Sequence, residues 1–276
     1  MQDDEPTFGT YRPSGLMAGL LAMTQGASDR WLGMRRAYLL RAVGIAALRG
    51  RPLDLAPFGA KMRLHPAHNN AEKRLAFTPQ YFDAAERGYL RDMMRDDFVF
   101  VDVGADVGGY ALFVAAMAGP RAQILAIEPQ PDIFDRLVFN IRENGFSTVK
   151  ALNCAASDTD GPVMLFINPA DSGEASMRLV NSHAKGRQIT VGGRALAGLI
   201  APEGLPRIDA MKLDIEGAED LVLEPFFRDA PQPLWPAVLI VEEAPGRWGL
   251  DLHALLAGCG YRVDRRSGPN TIYRRA

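Results

Sequence analysis

The chain has 276 residues, 47% of them hydrophobic and 23% charged, with a mean hydropathy of −0.07; this composition can bury a sizeable core in one domain, or in one domain with an extension. A formal net charge of −2 excludes an overall basic field that would recruit nucleic acid or an acidic membrane. Two cysteines, Cys154 and Cys259, sit in apolar sequence, which argues against a disulfide-built secreted domain.

The acidic residues 1–5 have the wrong sign for a signal peptide, and the apolar run 14–23 is too short to span a bilayer. Residues 31–49 carry apolar side chains at helical spacing, interrupted by Arg35, Arg36 and Arg41. Two amphipathic helices are expected, packed on the body or on a second copy to give a homo-oligomer; interfacial membrane binding is the alternative. The chain reads as cytoplasmic, with no stable membrane insertion. A Pro- and Gly-punctuated stretch follows, with a strand at about 61–64. Residues 63–74 are polar and loop-like, with His65 and His68 as candidate general bases. Asp83 with Glu86 three residues on is a capping-box-like start for a helix reaching about 94.

Near residue 97 the pattern changes to alternating strands and helices, so residues 1–97 are expected to be a helical extension and cap, and 98–276 the main domain. Strands are expected at 98–103, 123–127, 149–154, 210–214 and 237–242, and helices at 110–118, 132–144, 218–226 and 250–257. Gly145 ends the second of these helices. A closing hairpin is expected over 261–274, and between 160 and 191 the pattern loosens into an insertion. This alternation implies an α/β fold, a Rossmann-like, mostly parallel sheet with helices on both faces, whose ligands sit at the carboxyl ends of the strands.

Chemistry concentrates at those ends. Val101-Asp-Val-Gly-Ala-Asp-Val-Gly108 runs from strand into glycine turn, with a helix after it. Such turns serve a dinucleotide or S-adenosylmethionine. A pyrophosphate favours G-x-G-x-x-G and no acid in the turn. Here Gly104 and Gly108 lie four apart, with Asp102 before them and Asp106 between, which suits a ligand bearing an ammonium and a sulfonium. Glu128-Pro129 ends the next strand, where an acid accepts from ribose hydroxyls. Ala156-Ser157-Asp158 could make room for adenine. Asp214 ends a further strand and faces the reacting centre, while Glu216 and Glu219 open the helix after it, a position the helix dipole also favours for acids. No Asn/Asp-Pro-Pro-aromatic run for a planar amine follows, which points to a hydroxyl acceptor. No CxxC or HExxH spacing occurs, and no metal is assigned.

At these places the chain resembles the FkbM family of S-adenosylmethionine-dependent methyltransferases, over about residues 98–243. The resemblance rests on Val101–Gly108, Glu128-Pro129, Asn140 with Asn144-Gly145, Ala156–Asp158 and Lys212-Leu-Asp-Ile-Glu-Gly-Ala-Glu219. It implies a seven-stranded class I fold, S-adenosylmethionine as cofactor with S-adenosylhomocysteine as product, and O-methylation of a sugar or polyketide-type small molecule. Family members typically carry Asn where Asp106 stands. The expected cofactor positions are Asp102, Gly104, Ala105, Asp106, Gly108, Glu128, Pro129, Ser157 and Asp158; the expected catalytic positions are Asp214, Glu216 and His68. The rival readings are a non-catalytic S-adenosylmethionine-binding partner subunit and an NAD-dependent oxidoreductase, the latter lacking its glycine spacing.

Overall fold

The computed structural model describes residues 5–168, 171–178, 186–244 and 246–276; part of the acidic start and of the expected insertion lies outside them. The chain opens with two helices, α1 (Gly15–Gln25) and α2 (Trp31–Leu48), then a short antiparallel pair, β1 (Leu53–Leu55) and β2 (Met62–Leu64). The polar run expected to be a loop folds in part as a helix, α3 (Asn70–Phe77). Asn69 caps it by accepting from the Glu72 N–H at 2.9 Å, and Leu75, Ala76 and Phe77 bury its far end. α4 (Ala84–Met93) starts where expected, but no capping box forms. Asp83 has a left-handed φ of 41°, and its carboxylate instead accepts from Arg74 and the Tyr110 hydroxyl.

The main sheet follows: β3 (Val99–Val103), α5 (Gly109–Met117), β4 (Gln123–Ile127), α6 (Pro131–Asn144) and β5 (Val149–Leu152). Pro131 at the first turn and Gly145 at φ 63° delimit α6. The expected loosened insertion is a sheet of its own. Strands β6 (Ala155–Ser157), β7 (Gly161–Asn168), β8 (Asp171–Ser176) and β9 (Arg187–Ala195) pair in the order β6-β9-β7-β8. The chain then passes through α7 (Leu196–Ile200), β10 (Ala210–Leu213), α8 (Glu219–Asp229), β11 (Val238–Glu242) and α9 (Leu252–Gly258) to a hairpin, β12 (Tyr261–Ser267) and β13 (Asn270–Arg275).

The large sheet has seven strands in the order β12-β13-β11-β10-β3-β4-β5. The five from β11 to β5 are parallel, and β13 is antiparallel to both β11 and β12. Alternation along the central strands feeds two cores. Phe98, Phe100, Ile124, Ala210 and Ile240 join Leu48, Leu64, Phe77 and Leu90 from the first 97 residues, so one apolar layer runs across the compositional change. Val101, Leu125, Met211 and Leu239 pack on α7, α8 and α9 through Leu199, Phe226 and Leu256. Strand order reverses between β3 and β10, and the carboxyl ends there open a crevice, the place where such sheets bind ligands. Among the described residues no helix is long and apolar enough to cross a membrane.

Candidate active site

A cavity of about 370 Å³ lies at this crevice, a size within the range of small-molecule sites. Its floor is the turn after β3. Gly104, at φ 80°, passes so close to β10 that a Cβ would stand 2.0 Å from the Asp214 carbonyl oxygen. The Gly104 and Ala105 N–H groups both donate to the Ile127 carbonyl at 2.9 and 3.0 Å, which pins the turn to β4. Gly108, at φ 95°, begins α5 against Leu137 and Leu112.

Asp102 is 1% exposed and accepts from the Ala111 N–H at 3.0 Å, with burial raising its pKa to about 7 against the opposing Lys212. Asp106 holds a left-handed φ of 48° and accepts from the Asn69 amide at 2.9 Å; burial raises it as well. Glu128 is 4% exposed. Its oxygens accept from the N–H groups of Asp106 at 3.0 Å and Gln130 at 2.9 Å, and burial, reinforced by Asp106, pushes its pKa to about 8. Pro129 lines the wall beside it.

At the opposite side Lys212, 2% exposed, donates to Asp214 at 2.5 Å. Burial alone would raise Asp214, but Lys212 overcomes it and holds the carboxyl below its usual range. Glu216 and Glu242 face the same point. Burial raises both, and Asp214 repels both, so they carry protons where Asp214 does not. The arrangement is one ionised carboxylate flanked by two neutral acids, able to accept a hydrogen bond from an incoming hydroxyl and to take its proton. Oxygens of these three residues all lie within 4.8 Å of one another, a spacing a hard cation could use, although Lys212 already compensates Asp214.

The remaining wall comes from the 63–74 run, expected at the site for its histidines, and from the insertion, which was not assigned to it. Asn69, Asn70, Ala71 and Arg74 of the α3 segment line the cavity opposite Asp171 and Gly173 of β8. Asp171 accepts from the N–H groups of Asn70 and Gly173, and Gln130 donates to the Ser172 carbonyl at 3.0 Å, so the second sheet is tied across the mouth. Arg74 also borders a smaller hollow of about 80 Å³ with Asp83, Tyr110, Asp102 and Lys212. Behind α3, Glu72 is fully buried and accepts from Arg136 at 2.9 Å and from the His65 N–H. The Asn-x-x-Glu spacing at 69–72 is a capping signal that could have revealed α3 in advance.

Six expected residues do not line this cavity: Asp102 and Ala105 border the smaller hollow instead, Gly108 lies behind the turn against Leu137, and His68, Ser157 and Asp158 stand apart from both. The His68 side chain is exposed and outside the lining, and only its carbonyl is engaged, by the N–H of Ser172. Asp158 is exposed, and buried Ser157 turns its hydroxyl to Asp158. Their neighbour Ala156 instead lines a narrow apolar slot with Val103, Ile127, Leu165 and Met177. Burial and nearby Arg136 lower the half-buried His65 to about 4.

A seven-stranded, mostly parallel sheet with a glycine turn, a buried acid after the second strand and an acid at the switch point defines a class I methyltransferase. A family profile described as "Methyltransferase FkbM domain" matches residues 102–263, more than half of the chain, and the chain belongs to that family. It is 28% identical over 196 residues to "Methyltransferase sdnD" of Sordaria araneosa, covering 60% of this chain and 74% of that protein. It is 28% identical over 235 residues to "31-O-demethyl-FK506 methyltransferase FkbM" of Streptomyces tacrolimicus, covering 74% and 87%. It is 27% identical over 135 residues to "Hexuronic acid methyltransferase AglP" of Haloferax volcanii, covering 49% and 52%.

Proposed function

We propose that the protein transfers a methyl group from S-adenosylmethionine to a hydroxyl of a small molecule, a sugar or a polyketide-type acceptor. The carrying observation is the cluster at the β3–β10 switch, where Asp214, Glu216 and Glu242 bring carboxyl oxygens within 4.8 Å of one another and Lys212 donates to Asp214 at 2.5 Å. The two relatives whose names state an acceptor, a hexuronic acid and 31-O-demethyl-FK506, support an oxygen acceptor.

The residues present fit the cofactor. Buried Glu128 would accept from ribose hydroxyls, and the slot beside Ala156 would take the adenine face. Arg74 would meet the methionine carboxylate, with Asp102 near the ammonium. The bound cofactor supplies an electrophilic methyl group on a sulfonium. The chain's own work is to hold the acceptor oxygen in line, which provides much of the acceleration in such reactions. Asp214 accepts the hydroxyl proton as the oxygen bonds to carbon, and the neutral neighbours avoid a second negative charge beside it.

The test is formation of S-adenosylhomocysteine with a panel of hexuronates, hexoses and macrolide alcohols, with a mass gain of one methylene on the acceptor. Cofactor binding without turnover on any hydroxylated acceptor would favour a non-catalytic binding subunit.

A further inference from the structure

The α1–α2 hairpin is the most one-sided part of the molecule. Residues 12–51 hold seven arginines and one aspartate, a net charge of +6 in a chain whose total is −2. Among the described residues none of these seven arginines forms an ion pair, whereas buried or half-buried arginines such as Arg63 and Arg136 are matched, with Asp54 and Glu72.

The outer surface of the hairpin is also apolar. Leu32 (72% exposed), Leu39 (70%) and Val43 (55%) stand at i, i+7 and i+11 on α2, while Ala37, Gly44 and Leu48 face inward. A helix apolar on both sides is normally covered on both sides. On α1, Leu16 is 74% exposed. An exposed aromatic ring sits on α2 under a guanidinium group: Arg35 lies 4.7 Å from the centre of the Trp31 ring, which is 61% exposed. Such pairs suit the boundary between headgroups and acyl chains. At the base of the hairpin, Arg12, Ser14 and Arg51 border a groove of about 340 Å³ beside Leu16, a place for a phosphate with an apolar stem.

Charge decides what covers this face. A second copy seated on this face by a two-fold axis would bring one basic surface against another, with Asp29 as the one acid of residues 12–51 to answer seven arginines. An anionic bilayer answers all of them. We infer that the outer face of the α1–α2 hairpin docks on an anionic phospholipid surface, lying among the headgroups without crossing the bilayer.

The full-length protein is to be sedimented with vesicles of phosphatidylcholine alone and of phosphatidylcholine mixed with phosphatidylglycerol. Binding is expected only to the anionic vesicles, and concentrated salt should reverse it, because the screening length falls to about 3 Å at 1 M. Each basic residue near such a surface contributes about five-fold in partitioning, so Arg35→Gln with Arg36→Gln should lower it about 25-fold. Leu32→Ser with Leu39→Ser should also lower partitioning and leave the melting temperature unchanged, since both side chains point outward. Absence of binding to anionic vesicles, or equal binding to both compositions, would overturn the inference. So would light scattering that shows a dimer dissociated by the leucine substitutions, because a second copy would then be the cover.

Discussion

Replacing Glu128 with glutamine separates what this carboxylate does for the fold from what it does for a ligand. Both its oxygens accept from backbone N–H groups, of Asp106 and of Gln130, at a site only 4% exposed. An amide keeps one acceptor and turns its own N–H toward the second donor, leaving one buried donor unmet at a cost of about 1–3 kcal/mol. Alanine would strand both donors, so glutamine is the informative change. A position at a strand end suggests no such cost; burial imposes it. Burial also lifts the Glu128 pKa from 4.5 to about 8. The folded protein therefore holds this proton more tightly than the unfolded chain, and that contribution to stability is full below about 4.5 and lost as pH rises through about 8. Glutamine does not titrate, so the deficit of the variant should shrink across that window. If the ionised carboxylate accepts from ribose hydroxyls, affinity for S-adenosylmethionine should fall by about 1.5–3 kcal/mol, roughly ten- to 150-fold. Thermal melts at the two ends of the window and calorimetric titration read the two effects apart. An unchanged dissociation constant in a folded variant would refute the ribose role, and a deficit that widens with pH would refute the electrostatic reasoning.

Asp214→Asn should lower turnover by about 10²–10⁴ and change cofactor affinity much less; parallel loss of both, measured by S-adenosylhomocysteine formation and calorimetry, would place Asp214 in the cofactor site. Asn69→Ala removes the α3 cap and the partner of Asp106 together. A melting shift worth about 0.5–2 kcal/mol is expected, along with weaker cofactor binding; unchanged affinity would show that Asn69 only caps the helix. Gly104→Ala forces a Cβ to 2.0 Å from the Asp214 carbonyl at φ 80°, so about 2–5 kcal/mol of stability should be lost in denaturant melts. A variant as stable as the parent would contradict that close approach.

The central strands were legible because each is a run of apolar residues bounded by glycine or acid, and burial on both faces demands such runs. The turn Asp102–Gly108 and the acids Glu128 and Asp214 were legible for a related reason: polar groups at the ends of apolar strands stand out, and the structure brings Gly104, Asp106, Glu128 and Asp214 to one cavity, with Asp102 at the hollow beside it. Other features depended on partners distant in sequence. Asp83 reads as a cap, but Arg74 and Tyr110 claim its carboxylate. The second sheet escaped notice because β7 and β9 are half-exposed strands with weak alternation, and their pairing with β6 and β8 is not local. His68 looked like a base in a polar run, but capping of α3 by Asn69 leaves its ring outside the cavity. The whole-chain charge of −2 concealed the +6 of residues 12–51, because an average over the chain carries no position.

The central claim is that the crevice between β3 and β10 takes S-adenosylmethionine, and titration calorimetry with that cofactor, S-adenosylhomocysteine and NAD tests it most directly. Seven acids, Asp106, Glu128, Asp171, Glu174, Asp214, Glu216 and Glu242, line this one cavity; a bound sulfonium and ammonium favour their ionised forms, whereas a pyrophosphate disfavours them. The account predicts saturable binding of the two adenosyl compounds, near micromolar or about −8 kcal/mol, and none of NAD. Saturable NAD binding, with no heat from S-adenosylmethionine, would contradict it.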